Sequence, residues 1–298
     1  QGLGVILDWV AAHHPKDAHG LYCFDGSFQY ESNNPTKREF VQRKTAFFDY
    51  GKREVQSFLI SSALFWLEQY HFDGLRIGEV SAMRYAPCGN GGHQHCTQSG
   101  RENKEAVAFL QKLNATVHSR NPDALTIAED ASDRPDVTQS PEQQGLGFDF
   151  RWNVGWKNDT LEYIKSDPFY RKDHHNDLIV SPTVEGAENF ILPIPHDEVV
   201  PGKKSLLDKI PGSYENKFAG LRALLSYMYT HPGKKLLFMG SEYGPFREWD
   251  CKTGLEWFML DFELHRKLKD FTRALNLFYL AHPALWENDG SPEGFEWI

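Results

Sequence analysis

Residues 72–80 read FDGLRIGEV, a strand-like apolar stretch that carries a charged residue, Arg76, in its interior. Burial of an unpaired charge costs several kcal/mol or more, so Arg76 needs a stabilising partner. Alternate residues of a strand face the same side, which puts Arg76 and Gly78 on one side and Glu79 on the other. Two questions follow: which group Arg76 is directed at, and whether a functional side chain is to be sought at Glu79 or at the position of Gly78.

The segments on either side of this stretch alternate between strand-like and helix-like patterns. Strands are predicted at 4–10, 72–77, 124–129, 148–152, 189–194 and 234–240. Helices are predicted at 54–70, after a capping box at Ser99–Glu102, through Thr160 and Tyr163, at 218–229 and at 271–282. Apolar strands separated by helices predict a parallel α/β sheet. No Gly-rich phosphate-binding motif follows the first strand, which argues against a doubly wound nucleotide-binding fold and favours a TIM barrel.

Composition narrows the classes of function. The chain has 298 residues, of which 40% are hydrophobic, so it is long enough for one large domain or two small ones. The net charge of -9 without a basic cluster argues against a nucleic-acid partner or an anionic membrane surface. No apolar run reaches the ~20 residues of a membrane span. The four scattered cysteines are typical of free thiols in a reducing compartment, so we expect a cytoplasmic protein.

Polar and charged residues follow the predicted strands at their carboxyl ends. They are Asp8 and His13, Arg76 with Gly78 and Glu79, Glu129 with Asp130, and His196 with Asp197 and Glu198. In a closed barrel these ends converge on one cleft. Glycosyl transfer needs an acid for the leaving oxygen and a carboxylate for the oxocarbenium-like centre, and this set supplies both. Aromatic residues make up 14% of the chain and provide platforms on which sugar rings can stack.

Four of these strand-end stretches carry a family resemblance. GVILDWVAAHHP (4–15), FDGLRIGEVSAM (72–83), LTIAED (125–130) and LPIPHDEVV (192–200) resemble, in order, the four motifs of the α-amylase family of glycoside hydrolases, family 13. Three further stretches resemble the 1,4-α-glucan branching enzymes more narrowly: GLGFDFRWNVGWKNDTLEY (145–163), HPGKKLLFMGSEYGPFREWD (231–250) and HPALWE (282–287). The chain is accordingly identified as a member of that family.

The resemblance implies a fold and a domain division. It implies a partial (β/α)8 TIM barrel, strands 3 to 8, over residues 1–288, and the start of a C-terminal β-sandwich domain at 289–298. The first two barrel strands and an N-terminal carbohydrate-binding module would then precede residue 1. The implied reaction cuts an α-1,4-glucan, such as glycogen or amylose, and passes the chain to a 6-hydroxyl without metal or cofactor.

The resemblance also implies roles for individual residues. Glu129 matches the general acid/base, and Asp197 matches the carboxylate that grips sugar hydroxyls and stabilises the transition state. Arg76 matches the arginine that holds the nucleophile ionised, which would account for its charge in an apolar strand. The positions that contact substrate in the family are matched by Asp8, His13 and His196.

The chain departs from the family at its most important position. The family has its nucleophilic Asp two residues after the arginine, and here that position is Gly78. Glu79 could substitute only if a bulge at Gly78 turned it inward. Further departures lie at Phe40–Ala46, at Cys88–Ser99, and at Pro201, where the branching enzymes have His.

Several alternatives stay open at this point. The chain could be a branching enzyme, a catalytically inactive α-glucan-binding homologue, an α-glucan hydrolase of the same family, or a decayed copy without function. Glu129 could simply cap the following helix, and the other strand-end groups could pair locally or lie in solvent. A zinc site is conceivable by residue type alone, but its spacing matches no usual site, so we expect a solvated loop there. That loop carries Cys88, His93, His95 and Cys96.

Overall fold

The computed structural model describes residues 2–41, 43–85, 102–179 and 188–297. The chain divides into two compact units, Gln1–Trp152 and Asn153–Ile298. In the described ranges, no helix is both long and apolar enough to cross a membrane.

Nine strands and eight α-helices lie in the described ranges. The strands are β1 Ile6–Trp9, β2 His13–Pro15, β3 Glu39–Phe40, β4 Thr45–Phe47, β5 Gly74–Ile77, β6 Leu125–Ala128, β7 Phe150–Trp152, β8 Phe190–Ile194 and β9 Lys234–Leu237. The helices are α1 Pro35–Arg38, α2 Arg53–Gln69, α3 Val80–Arg84, α4 Lys104–Arg120, α5 Val154–Lys165, α6 Asn176–Ile179, α7 Tyr214–Thr230 and α8 Glu263–Ala281.

The first unit is built on four parallel strands in the order β1-β5-β6-β7. In this sheet Asp8 is in register with Arg76, and Arg76 is in register with Ile127. Helices α2 and α4 contribute buried apolar side chains to the core of this unit at helical spacing, as their sequence patterns predict. Because parallel strands end at the same edge, the residues after β1, β5 and β6 come together there.

Helix α4 begins differently from the sequence prediction. The side-chain oxygen of Asn103 accepts hydrogen bonds from the backbone N–H groups of Glu105 and Ala106, at 3.1 and 3.3 Å. Asn103 is therefore the N-cap, and the capping box predicted at Ser99–Glu102 is wrong as the start of this helix. Ser99 itself lies outside the described residues.

A small antiparallel sheet, of order β2-β4-β3, was not predicted. Its strands are two or three residues long and lie in a polar stretch, so no alternating pattern marks them. Phe40 and Phe47 stack with their ring centroids 4.4 Å apart and bury its apolar side. This sheet positions His13, the first residue of β2, beside Phe40.

The second unit contains the parallel pair β8 and β9 with helices α5, α7 and α8. Its apolar core includes Trp156 of α5, Leu192 of β8 and Phe218 of α7. Trp156 is only 2% exposed, so it is a core residue of this unit and no platform for a sugar ring. A short 3-10 turn, His196–Glu198, follows β8 directly and carries the predicted strand-end residues.

Candidate active site

Arg76 is directed at the carboxyl edge of the first unit's sheet, between two carboxylates. Its side chain is 12% exposed, with Nε 3.5 Å from Asp8 Oδ1 and Nη2 3.5 Å from Glu129 Oε2. The guanidinium carbon lies 4.1 Å from the ring centroid of Trp152, a cation–π contact from β7. Asp8 itself is largely exposed. The charge that interrupts the apolar strand is therefore balanced from both neighbouring strands.

Gly78 occupies the position that faces Arg76 and Glu129. A Cβ at Gly78 would lie 3.1 Å from Arg76 Nη1 and 3.5 Å from Glu129 Oε2, and no other non-neighbouring atom would lie within 4 Å. The backbone at Gly78 is outside the left-handed region, so an L side chain fits its conformation. A side chain at position 78 would thus project between the guanidinium and the carboxylate, on the side that strand alternation predicts.

Glu129 follows β6 and is fixed by its backbone to the next strand. Its N–H donates to the carbonyl of Ile77 at 2.9 Å, and its own carbonyl accepts from Val80 N–H at 2.9 Å. The side-chain Oε2 also accepts the backbone N–H of Glu79, at 3.2 Å. This carboxylate is therefore held at the strand end, half-buried beside Arg76.

The carboxylate of Glu79 is engaged by other residues and does not take the place of a substitute nucleophile. Its backbone is left-handed, with φ of 57°, and it precedes helix α3. One carboxylate oxygen lies 3.1 Å from Nε2 of His13, and the other contacts the guanidinium of Arg43. Burial alone would raise the pKa of Glu79, but the ring of His13 and the charge of Arg43 outweigh it and hold that pKa below its ordinary value.

His196, Asp197 and Glu198 form the turn after β8 in the second unit. The His196 ring packs against Trp249 and Phe238, with centroid separations of 6.0 and 6.1 Å. Asp197 is half-buried, and among the described residues its buried Oδ1 has no hydrogen-bond partner. Such a buried, unsatisfied carboxylate oxygen is unusual in a folded protein.

Glu198 has a structural partner in the same unit. Its Oε1 accepts a hydrogen bond of 2.8 Å from Lys157 Nζ on α5, and Lys203 lies 3.5 Å away. Burial acts to raise the pKa of Glu198, but these lysines hold it below its ordinary value. Glu198 therefore pairs locally, in contrast to Asp197 beside it.

A buried ion-pair network supports the loop after Glu129 and was not predicted. Arg84 of α3 donates to both carboxylate oxygens of Asp136, at 2.9 and 2.8 Å, and to Glu102 at 2.8 Å. Its Nη1 also lies 3.5 Å from Asp130, the residue after Glu129. Burial alone would lower the pKa of Arg84, and these carboxylates instead raise it.

Two further residues of the site, Trp152 and Arg43, are not predicted from the sequence. Trp152 ends a predicted strand, so its place at the sheet edge could have been inferred, whereas no sequence pattern points to Arg43.

Part of the sequence prediction lies outside the described residues. The segment Cys88–Ser99, with its departure from the family and its four metal-type ligands, falls by position within 86–101. Within the described ranges, no group of three or more metal-ligating side chains is present.

Comparison with solved structures identifies the class of fold. The α-amylase of Geobacillus thermoleovorans, solved with acarbose, has a TM-score of 0.58 and 15% identity, covering 95% of this chain and 59% of its own. The Ttha1563 protein of Thermus thermophilus has a TM-score of 0.63 and 17% identity, covering 96% and 60%. At such identities the similarity concerns the fold, and it confirms the predicted partial (β/α)8 barrel. No protein-family model matches the chain.

Curated relatives identify the family. Proteins named 1,4-α-glucan branching enzyme GlgB are 51% identical in Halothermothrix orenii, 50% in Aquifex aeolicus and 53% in Desulfitobacterium hafniense. Each alignment covers 100% of this chain and 46–47% of the relative, so the chain spans about half the length of the curated relatives it matches. Over its whole length, the chain is therefore similar in sequence to part of the 1,4-α-glucan branching enzymes.

Proposed function

We propose that this chain forms the catalytic part of an α-glucan branching protein. Such a protein cuts an α-1,4 bond, holds the chain at C1, and passes it to a 6-hydroxyl with retention of configuration. The observation that carries this proposal is the placement of Glu129, position 78 and Arg76 around one point at the sheet edge. The substrate would be glycogen or an amylose-like polysaccharide, with no metal or cofactor involved.

Glu129 would supply the proton transfer in both half-reactions. As an acid it protonates the departing O4, and as a base it later takes the proton of the attacking 6-hydroxyl. Asp197 is the position to which the family resemblance assigns transition-state stabilisation. Asp8, His13 and His196 are proposed to bind substrate on the same resemblance.

The missing step is nucleophilic attack. Gly78 offers no carboxylate, and the carboxylate of Glu79 is engaged by His13 and Arg43. Loss of a covalent nucleophile typically reduces kcat by several orders of magnitude. This observation favours a second function, α-glucan binding without turnover, for the chain as it stands.

A restored nucleophile separates these functions. The protein would be expressed at its full natural length, with Gly78→Asp, Gly78→Asn and the double variant Gly78→Asp/Glu129→Gln beside it. Branching would be followed by loss of iodine staining of amylose and by the proton resonances of new α-1,6 bonds. We expect Gly78→Asp to branch, and the neutral isostere Gly78→Asn and the double variant to be inactive.

Each alternative has its own outcome. If Gly78→Asp is inert while amylose still binds, the binding function replaces branching. If it produces short reducing oligosaccharides without new α-1,6 bonds, the protein is a hydrolase of the family. If the unmodified protein already branches amylose and Glu129→Gln does not, Gly78 is no obstacle to catalysis.

Two further expectations belong to the proposal. A cytoplasmic location is supported by the thiols of Cys23 and Cys251, both free in the described part of the chain. The division into a barrel portion, 1–288, and the start of a β-sandwich domain, 289–298, stays a prediction.

A further inference from the structure

The space beside Gly78 has the surroundings of an anion site. A Cβ at this position would lie 3.1 Å from Arg76 Nη1, a tight contact, and 3.5 Å from Glu129 Oε2, and chain neighbours aside it would meet no other atom within 4 Å. Gly78 is itself buried, and its N–H is used by the carbonyl of Trp9. This space therefore lies inside the sheet edge and has a guanidinium on one wall.

Arg76 has unused capacity to bind an anion. Its two carboxylate neighbours stand at 3.5 Å, longer than a charge-assisted hydrogen bond of about 2.8 Å. Its Nε is buried and, among the described residues, has no hydrogen-bond partner. The Trp152 ring at 4.1 Å restrains the guanidinium plane. Its Nη1 is the atom that faces Gly78, so an anion there would meet a restrained guanidinium that makes no close hydrogen bond to a carboxylate.

We propose that the space beside Gly78 binds a small monovalent anion of formate size, and that this anion acts as an external nucleophile at the anomeric carbon. The inference rests on the proposed function, because it assigns the missing nucleophilic step of that reaction. Formate matches the carboxyl group of an aspartate side chain without its Cβ, so it fits where Gly78 leaves room. Azide has the same charge and similar size, and serves as a second probe.

The step balances in atoms and protons. A formate oxygen bonds to C1 while the C1–O4 bond breaks, and the proton of Glu129 passes to O4. The β-glycosyl formate is then attacked at C1 by the 6-hydroxyl oxygen, whose proton returns to Glu129 as formate leaves. Formate is regenerated and the configuration is retained after two inversions. Azide attacks in the same way, but the resulting β-glycosyl azide is stable and accumulates.

Glu79 is excluded from this role by its position. It is bound through its carboxylate to His13 and Arg43, and it approaches Glu129 through its backbone N–H. The open space is therefore left to a diffusible anion. Arg76 faces it from β5, Glu129 from the end of β6 and Asp8 from β1. Arg76 is the cation of these three residues, and an anion beside it would occupy the place that a side chain at position 78 would fill. Binding should therefore depend on position 78 carrying no side chain.

Binding is tested without any turnover. The full-length protein would be titrated calorimetrically with sodium formate at constant ionic strength, and azide would then be tested as a competitor. We expect saturable formate binding that azide displaces. Gly78→Asp and Gly78→Asn fill the space and should abolish it, and unfolding curves would show that both variants fold. Gly254→Asp is the matched control, because a Cβ there has no atom within 4 Å and the site at Gly78 is unchanged.

Turnover is tested with α-maltosyl fluoride, whose leaving group needs no proton. With azide, we expect the unmodified protein to release fluoride and form β-maltosyl azide, at a rate that saturates and exceeds the azide-free rate by about tenfold or more. Gly78→Asp should release fluoride without azide and form no β-maltosyl azide, because the introduced carboxylate takes the β face of C1.

The outcomes separate the inference from the proposed function. Formate that does not bind, or binds equally well to Gly78→Asp, overturns the site even if Gly78→Asp branches amylose. Formate that binds without azide product overturns the nucleophilic role. Inactivity of Gly78→Asp on amylose tests the proposed function alone, because anion binding is measured separately.

Discussion

Glu79 lies against His13, with 3.1 Å between its Oε2 and the Nε2 of the imidazole ring, while it approaches Glu129 through its backbone N–H, at 3.2 Å. Arg43 contacts the other carboxylate oxygen. Both contacts come from the polar stretch between β1 and α2, in which the sequence pattern predicts no element. The residue after Gly78 is thus a link between the strand end and the small antiparallel sheet.

This link should contribute to stability in a pH-dependent way. The pKa of Glu79 is lower in the folded protein than its ordinary value, so its contribution is present above the ordinary pKa and is lost as pH falls through the lowered one. We expect Glu79→Gln to lower the free energy of unfolding by about 1–2 kcal/mol at pH 7, and by less in acid. Urea unfolding at a series of pH values measures the effect.

Glu54 provides the control for that experiment. It is exposed in the first turn of α2, so Glu54→Gln should change stability by less than about 0.5 kcal/mol at every pH. Equal effects of the two substitutions would show that the contacts of Glu79 with His13 and Arg43 contribute nothing.

Arg84 should be among the least replaceable charges of the first unit. Its side chain is 1% exposed and holds Asp136, Glu102 and Asp130. Among the described cations, its removal leaves the buried Asp130 with only the longer contact to Arg151, at 3.6 Å, and Asp136 with only Arg134, at 3.4 Å. We expect Arg84→Met to cost about 3–5 kcal/mol in unfolding free energy. A loss of branching in the Gly78→Asp background should accompany it, since Asp130 adjoins Glu129.

Arg120 is the matched control for Arg84. It also pairs bidentately, with Glu68 at 2.9 and 3.1 Å, but its side chain is 56% exposed. Arg120→Met should therefore cost less than about 1 kcal/mol. Guanidinium chloride unfolding of both variants decides the point, and a similar small cost for each would mean that the Arg84 network is not stabilising.

The sequence predicts the sheet edge well because strand ends in a parallel sheet depend only on element order and hydrophobic runs. Arg76, Gly78 and Glu129 are predictable in this way, since two neighbouring strands and residue alternation fix their relation. The partner of Glu79 is not predictable, because Arg43 and His13 reach it through strands two or three residues long. The sequence pattern mispredicts the start of α4, because Ser99 and Asn103 are both capping residue types and lie four positions apart. In the structure the N-cap is Asn103.

Gly74 is required by close packing, not by backbone conformation. A Cβ there would lie 2.5 Å from the Leu125 carbonyl oxygen on β6 and 2.8 Å from Ile6 Cδ1 on β1. The neighbouring strands would have to separate, at a cost of about 1–3 kcal/mol for Gly74→Ala. Gly254→Ala, which meets nothing within 4 Å, should be neutral. Thermal unfolding of both variants tests this, and equal melting temperatures would contradict the packing argument.

We expect Lys235 to make the second unit more stable in base than at neutral pH. Burial lowers its pKa from 10.5 to about 7, against the opposing charge of Asp289 and with the added repulsion of Lys234. Its Nζ donates to the carbonyl oxygen of Gly233 at 2.6 Å and also to that of His231. Between about pH 7 and 10.5 the unfolded chain keeps a proton that the folded chain has released, so stability rises with pH in this window.

One proton changes the free energy of unfolding by at most about 1.4 kcal/mol per pH unit, which sets the largest slope that Lys235 can contribute. Lys235→Met should remove this contribution and flatten the pH dependence from 7 to 10.5. Lys267→Met is the control, because Lys267 lies on α8 of the same unit with its side chain 65% exposed, and it is not among the charges that shift the pKa of Lys235. Chemical unfolding at half-unit pH steps compares the slopes. If the unfolding free energies of the unmodified protein and of Lys235→Met change equally with pH, Lys235 is charged throughout the window. Its burial then does not lower its pKa into this range.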